Sequence, residues 1–146
     1  MSEAQPTKPK WTRRKKVIAI SAVILLLIIV PIFTHLFWEM HEAGKVFSAF
    51  NRALIAKDYQ RAYSLTAPDL QSTVNYQAFI AVHDGISSRH GALTSYTREE
   101  TEVKDDRDGW FANIHARLVF ERGEQPFLFV LKRVDGHWRV YSYKEL

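Results

Sequence analysis

Residues 110–120 read WFANIHARLVF, and apolar and polar residues alternate along this stretch. Because successive side chains of a strand point to opposite faces, one face of this strand would be apolar and the other polar. The pattern predicts a half-buried β-strand. Its apolar face would carry Trp110, Ala112, Ile114, Ala116, Leu118 and Phe120.

The sequence on either side of this strand predicts three more strands. Residues 92–104 are rich in Thr, Tyr and Val but polar on both faces, which is typical of an edge strand. Its charges, expected in solvent, are Arg98, Glu99, Glu100 and Glu102. Residues 127–131 are apolar on both faces, as in a central strand, and Asp135-Gly136 is a strong hairpin signal before a last strand over 137–143. Four consecutive strands with short connections predict an antiparallel meander.

Residues 43–90 follow helical periodicity instead. Apolar residues recur at three- and four-residue spacing from Ala43 to Leu54, in a helix that either continues from the preceding segment or breaks at Gly44. Asp58 would cap a second helix, and Ser72 or Asn75 would cap a third. The apolar residues of the third helix are Tyr76, Phe79, Ile80, Val82 and Ile86. Helices followed by strands predict an α+β fold, with three helices packed on a curved four-stranded antiparallel sheet.

Two short motifs lie near the two ends of this region. The first reads Val46-x3-Phe50-x3-Leu54-x2-Lys57-Asp58-Tyr59-x2-Ala62-Tyr63, and the second reads Asp135-Gly136-His137-Trp138-Arg139-Val140. With the layout of residues 43–143, they resemble the nuclear-transport-factor-like superfamily of cystatin-like α+β cones. The resemblance implies a cone-shaped pocket between sheet and helices, and frequent dimers through the sheet. The superfamily includes enzymes, ligand carriers and membrane-anchored envelope domains, so the fold alone does not determine the function.

An uncharged apolar segment precedes this domain. The 22 residues from Val17 to Trp38 include no Asp, Glu, Lys or Arg. As a helix rising ~1.5 Å per residue the segment covers about 33 Å, enough to cross a hydrocarbon core of roughly 30 Å. It is longer than the ~7–15 apolar residues of a signal peptide, and bulky residues stand where a cleavage site would need small ones. We therefore favour an uncleaved signal-anchor over a cleaved signal peptide.

Basic residues set the expected orientation. Residues 1–16 hold six Lys and Arg residues, whereas only Lys45 and Arg52 follow within the first turns after the segment. Positive charge gathers on the cytoplasmic side of a span. We expect a cytoplasmic tail 1–16, a transmembrane helix 17–38 with Val17 and Trp38 at its ends, and a periplasmic domain 39–146. The protein would be single-pass in the cell inner membrane, with the lipid bilayer as a partner.

Composition excludes several classes of function. Of 20 basic and 16 acidic residues, six basic and one acidic precede Val17, which leaves 14 basic and 15 acidic residues for the rest of the chain. A nucleic-acid-binding domain needs a basic face, so no nucleic-acid partner is expected. The chain has no cysteine, which excludes disulfides and thiolate zinc sites. Its six histidines show no HxxxH or HExxH spacing, so we expect no metal and no cofactor.

A pocket enzyme of isomerase or dehydratase type is one alternative that the resemblance implies. Such an enzyme needs an acid or base in the pocket, with a pKa shifted by burial. The candidates for this role and for its hydrogen-bond donors are Asp84, His83, His115, Tyr63 and Tyr96. His35 is the one ionisable residue of the apolar segment and lies within a turn of Trp38. We assign no catalytic residue.

Aromatic and arginine residues on the sheet face opposite the core would suit a partner surface. Strict alternation places four such residues there, namely Phe111, Arg139, Tyr141 and Tyr143, although a curved sheet would bury part of both faces. We therefore expect a non-enzymatic, membrane-tethered binding or assembly module on the extracytoplasmic side. Its partner would be a membrane or envelope protein, and a homodimer would form through the sheet. The alternatives are a small-ligand or lipid-binding cone, or the pocket enzyme.

Overall fold

The computed structural model describes residues 13–146, so most of the predicted tail 1–16 lies outside the described residues. Four helices precede four strands, which confirms the predicted α+β class. The elements are α1 Arg13–Ile55, α2 Tyr59–Ser64, α3 Pro68–Thr73, α4 Tyr76–His90, β1 Leu93–Asp106, β2 Gly109–Phe120, β3 Gly123–Val134 and β4 His137–Glu145. The chain divides into two compact units within α1, between Leu36 and Phe37.

The first unit is the apolar part of α1. Among residues 13–146, α1 is the helix that is long and apolar enough to cross a membrane, and its length and position near the N-terminus also fit a signal sequence. The helix passes Pro31 without ending. The Thr34 hydroxyl lies 3.0 Å from the carbonyl oxygen of Val30 and 2.9 Å from that of Pro31. The helix also continues past Gly44, so the alternative of a break there is wrong.

The second unit is built on an antiparallel sheet in the order β1-β2-β3-β4. The meander is as predicted. In β2, Ala112, Ile114 and Ala116 are buried as the alternation requires. They lie opposite Leu131, Phe129 and Phe127 of β3, respectively. One face of the sheet therefore supplies most of the core.

A bulge in β4 changes which residues face this core. Val130 pairs with Ser142 while Leu131 pairs with Val140, so Tyr141 is an extra residue without a partner on β3. An extra residue reverses the alternation that follows it. The strict alternation predicted for β4 is therefore wrong beyond this point, and Tyr143 packs against the core instead of lying on the outer face.

The helices cover the inner face of the sheet. Asp58 caps α2 by accepting a hydrogen bond from the backbone N–H of Arg61 at 3.1 Å. Asn75, one of the two predicted caps, accepts from the backbone N–H of Ala78 at 2.9 Å and begins α4. Between them the structure adds α3, a short helix that the sequence analysis did not predict. It begins at Pro68, a residue whose fixed φ suits a first helical position.

Only some of the apolar side chains of helix α4 face the core. The buried residues of α4 are Phe79 and His83, whereas Val82 is 46% exposed. The turn of α4 that contacts the sheet presents an imidazole to the core in place of an isopropyl group.

A buried carboxylate joins α1 to the end of the sheet. Glu39 is 4% exposed. Its Oε1 accepts a hydrogen bond from Arg133 Nη1 at 2.6 Å, and its Oε2 accepts one from Trp138 Nε1 at 3.0 Å. Because a buried charge is costly unless it is paired and hydrogen-bonded, these two donors make the burial of Glu39 tolerable. We call these three residues the Glu39 clamp.

Candidate functional site

The candidate site is a small cavity between the sheet and the helices. Its volume is about 40 Å³. The walls are mainly apolar side chains from α1, α4, β2 and β3, among them Leu54, Ile86, Leu118, Phe120, Phe127 and Phe129. The same lining includes Lys57, in the connection between α1 and α2, and Tyr59, the first residue of α2. The cavity lies where the resemblance implies the pocket of the cone.

One hydrogen-bonded pair of side chains belongs to these walls. The Tyr143 hydroxyl lies 2.8 Å from Nε2 of His83. His83 is placed by α4, and Tyr143 is placed by the strand beyond the β4 bulge. The His83 imidazole stacks between two rings, with centroids 5.5 Å from Tyr143 and 6.0 Å from Tyr59. This packing holds the imidazole in one orientation.

Burial keeps both members of the pair uncharged. Desolvation lowers the pKa of His83 from 6.5 to about 4, and the nearby negative charge of Asp84 opposes this effect only in part. Burial also raises the pKa of Tyr143 well above its usual value of 10.0. At neutral pH the site therefore offers a neutral imidazole and a neutral phenol. Such a pair can exchange hydrogen bonds with a ligand but carries no charge.

The other candidates for a pocket acid or base do not join His83. Asp84 is exposed on α4. The pKa of Tyr59 is raised mainly by desolvation, and the negative charge of Asp84 raises it further. His115 lies opposite Leu128 on the sheet and is not part of the cavity lining. Tyr63 donates its hydroxyl hydrogen to the carbonyl of Val74 at 2.9 Å. The structure thus brings only His83 of this set to the cavity.

Two further predicted positions also stand apart from the cavity. The Tyr96 hydroxyl lies 3.4 Å from the Ser48 carbonyl oxygen, which ties β1 to α1. His35 lies in the exposed apolar part of α1. Among residues 13–146 no group of three or more His, Cys, Asp or Glu side chains could hold a metal ion.

The outer face of the sheet carries three of the four predicted partner-surface residues. Phe111 and Tyr141 form an edge-to-face pair with centroids 5.9 Å apart. Lys132 Nζ lies 5.8 Å from the first ring and 5.6 Å from the second, and it is 2.8 Å from Oδ2 of Asp69. We call Phe111, Lys132 and Tyr141 the outer cluster. Arg139 lies nearby in register and donates to the Ser64 carbonyl at 2.7 Å.

Sequence reasoning missed Lys132 and Tyr143 in the positions that they occupy. Tyr143 was assigned to the outer face because the bulge at Tyr141 has no glycine to mark it. Lys132 follows Leu131 and precedes Arg133 near the end of β3. The register of β2 and β3 places Lys132 opposite Phe111. The outer cluster could have been predicted from the sequence only through that register of β2 and β3.

The architecture, with helices on one face of a curved four-stranded antiparallel sheet, is consistent with the NTF2-like cone that the resemblance of the two sequence motifs implies. No protein-family model matches the sequence, and the comparison with curated proteins finds no match. The chain is similar in structure to a protein from Catenulispora acidiphila, with a TM-score of 0.53 and 12% identity over 73% of this chain and 88% of that one.

Two more solved structures are similar. The protein Aln2 from a Streptomyces species has a TM-score of 0.50 and 12% identity, over 72% of this chain and 87% of that one. A protein from Campylobacter jejuni described as an NTF2-like transpeptidase has a TM-score of 0.49 and 17% identity, over 68% of this chain and 97% of that one. At such identities the first two likenesses bear on the fold alone, and function has to be argued from the site.

Proposed function

We propose that this chain is a membrane-tethered, non-enzymatic binding domain on the extracytoplasmic side, and that its cavity accepts the apolar part of a small ligand. The observation that carries the proposal is the lining of the cavity, where apolar side chains surround the neutral His83–Tyr143 pair. In ligand sites of this kind apolar walls provide affinity, while a few placed polar groups orient the ligand.

The size of the cavity narrows the class of ligand. About 40 Å³ is well below the roughly 300–1,000 Å³ of a pocket that encloses a whole metabolite. Lys57 belongs to the lining, is exposed, and forms no ion pair with any described residue. Its ammonium group would attract an anionic head group while a short apolar chain enters the cavity. The ligand class is thus a small anionic amphiphile such as a short-chain carboxylate.

The neutrality of the polar pair supports binding over catalysis. A general base works best when its pKa lies near the working pH, and burial holds the pKa of His83 at about 4. The cavity lining includes no Asp or Glu among the described residues. Hydrogen bonding to a ligand is therefore the role that suits this pair.

The apolar helix and the basic residues next to it support the tether. Residues 13–16 read RRKK and directly precede the uncharged segment. A membrane anchor of this orientation would hold the domain in a thin layer beside the bilayer. Confinement raises the effective concentration of the domain for amphiphiles dissolved in that bilayer.

Calorimetric titration of the full-length protein in nanodiscs with butyrate, a short-chain carboxylate, tests the proposal. Ala92 belongs to the cavity lining, so Ala92→Leu should fill the cavity and weaken binding about tenfold or more, since one buried chain of this size is worth well over 1.4 kcal/mol. Ala78→Leu makes the same change at an exposed position of α4 and should bind as wild type does. Equal binding by both variants, or no binding by wild type, would contradict the cavity assignment.

A protein partner on the outer face is the second candidate function. The observation that favours it is the outer cluster, in which an aromatic pair and an ammonium group lie together on the sheet. Aromatic residues are enriched at the centres of protein interfaces. Crosslinking of the full-length protein in membranes, with and without Phe111→Ala, would separate the two: loss of a defined partner band only in the variant supports this candidate.

A further inference from the structure

We propose a second binding site on this domain, for the phosphate head group of an anionic phospholipid, in a groove between α1 and β1. The groove has a volume of about 310 Å³ and is lined by Phe37, Met40, His41, Arg98, Glu99 and Thr101. It shares no residue with the cavity around His83. The inference rests on the membrane tether proposed above, because the tether is what brings lipid to this groove.

Arg98 supplies the cationic centre of the groove. It lies on β1 opposite Ala116, and its guanidinium reaches over Gly44 of α1 so closely that a Cβ at position 44 would overlap Nη1. The side chain was predicted to be a solvated charge, and it is exposed and forms no ion pair with any residue in the described part of the chain. A guanidinium presents several N–H donors in a plane, which matches the oxygens of a phosphate.

The carboxylate in the groove lining does not oppose this role. Glu99 Oε1 lies 2.6 Å from Nη2 of Arg117, and Nη1 of Arg117 lies 3.5 Å from Oε2 of Glu124. The charge of Glu99 is therefore compensated in part by this ion pair, on the side away from Arg98. His41 is exposed on the opposite wall. Its imidazole N–H provides a second donor for the same phosphate. The polar part of the groove is thus suited to an anion.

The apolar part of the groove is suited to the beginning of an acyl chain. Phe37 is 74% exposed, and Met40 lies beside it in the same lining. His41 follows Trp38, the last residue of the uncharged segment, by three residues, or about 4.5 Å of helical rise. Lipid phosphates lie just outside the hydrocarbon layer, where a basic side chain attracts anionic head groups. A phospholipid therefore matches the groove better than a free anion does.

Native mass spectrometry of the full-length protein, released from detergent micelles, can count bound lipids. The probes are dioleoyl-phosphatidylglycerol and, as the zwitterionic comparison, dioleoyl-phosphatidylcholine. We expect wild type to retain phosphatidylglycerol in preference, and Arg98→Gln to weaken this retention about tenfold, the value of one charge-assisted hydrogen-bonded contact. Arg52→Gln removes the same charge from an exposed position further along α1 and should retain lipid as wild type does.

Three results would overturn the lipid site. They are equal loss in the two arginine variants, equal retention of both lipids, and complete displacement of phosphatidylglycerol by inorganic phosphate. The result is separable from the fate of the function proposed above, because butyrate binding by Arg98→Gln should stay unchanged. Fractionation of cells tests the tether independently, and recovery of the full-length chain outside the membrane fraction would contradict the tether. The number of lipids bound in detergent micelles tests the lipid site whether or not the tether is correct.

Discussion

Acidification should destabilise the folded domain through His83. This imidazole is 8% exposed, and burial lowers its pKa from 6.5 to about 4. The unfolded chain therefore accepts a proton at a pH where the folded chain still resists it. For a group whose folded pKa is lowered, the contribution to stability is complete above the unfolded pKa and is lost as the pH falls toward the folded value. The loss should occur between pH 6.5 and about 4.

The expected magnitude follows from the two pKa values. The difference between 6.5 and about 4 corresponds to about 3 kcal/mol of unfolding free energy, at roughly 1.4 kcal/mol for each pH unit. Small domains have unfolding free energies of about 5–15 kcal/mol. One buried imidazole would thus account for a substantial part of the acid sensitivity of this domain.

Urea unfolding of the full-length protein in dodecyl maltoside, followed by tryptophan fluorescence from pH 7.5 to 4, measures this loss. His83→Gln keeps a hydrogen-bonding partner for Tyr143 but does not titrate, so its unfolding free energy should fall by about 3 kcal/mol less than that of wild type over the range. His137→Gln removes an exposed histidine and should follow wild type. The same pH dependence in wild type and His83→Gln would refute the reasoning.

Three further substitutions test other contacts by the same urea assay. Tyr143→Phe leaves the buried His83 without its partner and should cost about 1–3 kcal/mol; no change would mean that the pair is not formed. Glu39→Gln weakens two buried hydrogen bonds from its donors and should cost about 2 kcal/mol, whereas a stabilised variant would contradict the clamp. Gly44→Ala should be within about 1 kcal/mol of wild type, because the helix gains propensity while the flexible end of Arg98 moves aside; a large loss would show that Arg98 cannot move.

The sheet could be predicted from the sequence because apolar residues occur at every second position along its inner face. Residues 112–118 alternate between apolar and polar, and their burial in β2 alternates in the same way. The hairpin at Asp135-Gly136 could be predicted from these two residues alone, because an Asp-Gly pair tolerates the positive φ angles that both residues adopt in the turn. Strand order followed from the short connections. The strands, the hairpin and the strand order all depend on residues that are close together in the sequence, so the sequence was sufficient to predict them.

The candidate site could be predicted less well from the sequence, because it depends on the register of β4 and on the rotation of α4 about its own axis. The bulge at Tyr141 moves Tyr143 to the core face, and no glycine or proline marks the change. On α4, His83 and Val82 are adjacent, so a rotation of about 100° decides which of them is buried. The aromatic rings around His83 accommodate its imidazole in the core. Contacts between distant elements therefore decided the chemistry of the site.

The Glu39 clamp also has a consequence for the order in which this chain can fold. The two donors to Glu39 lie 94 and 99 residues further along the chain. A ribosome delivers residue 39 long before residues 133 and 138, so the carboxylate of Glu39 cannot accept these two hydrogen bonds until the hairpin of β3 and β4 has been synthesised. Contacts between such distant residues are slow to form, since the intervening loop must close first. The hairpin of β3 and β4 thus completes the contact with the start of the domain in α1, and chains in which this hairpin has not yet formed would be substrates for quality-control proteases.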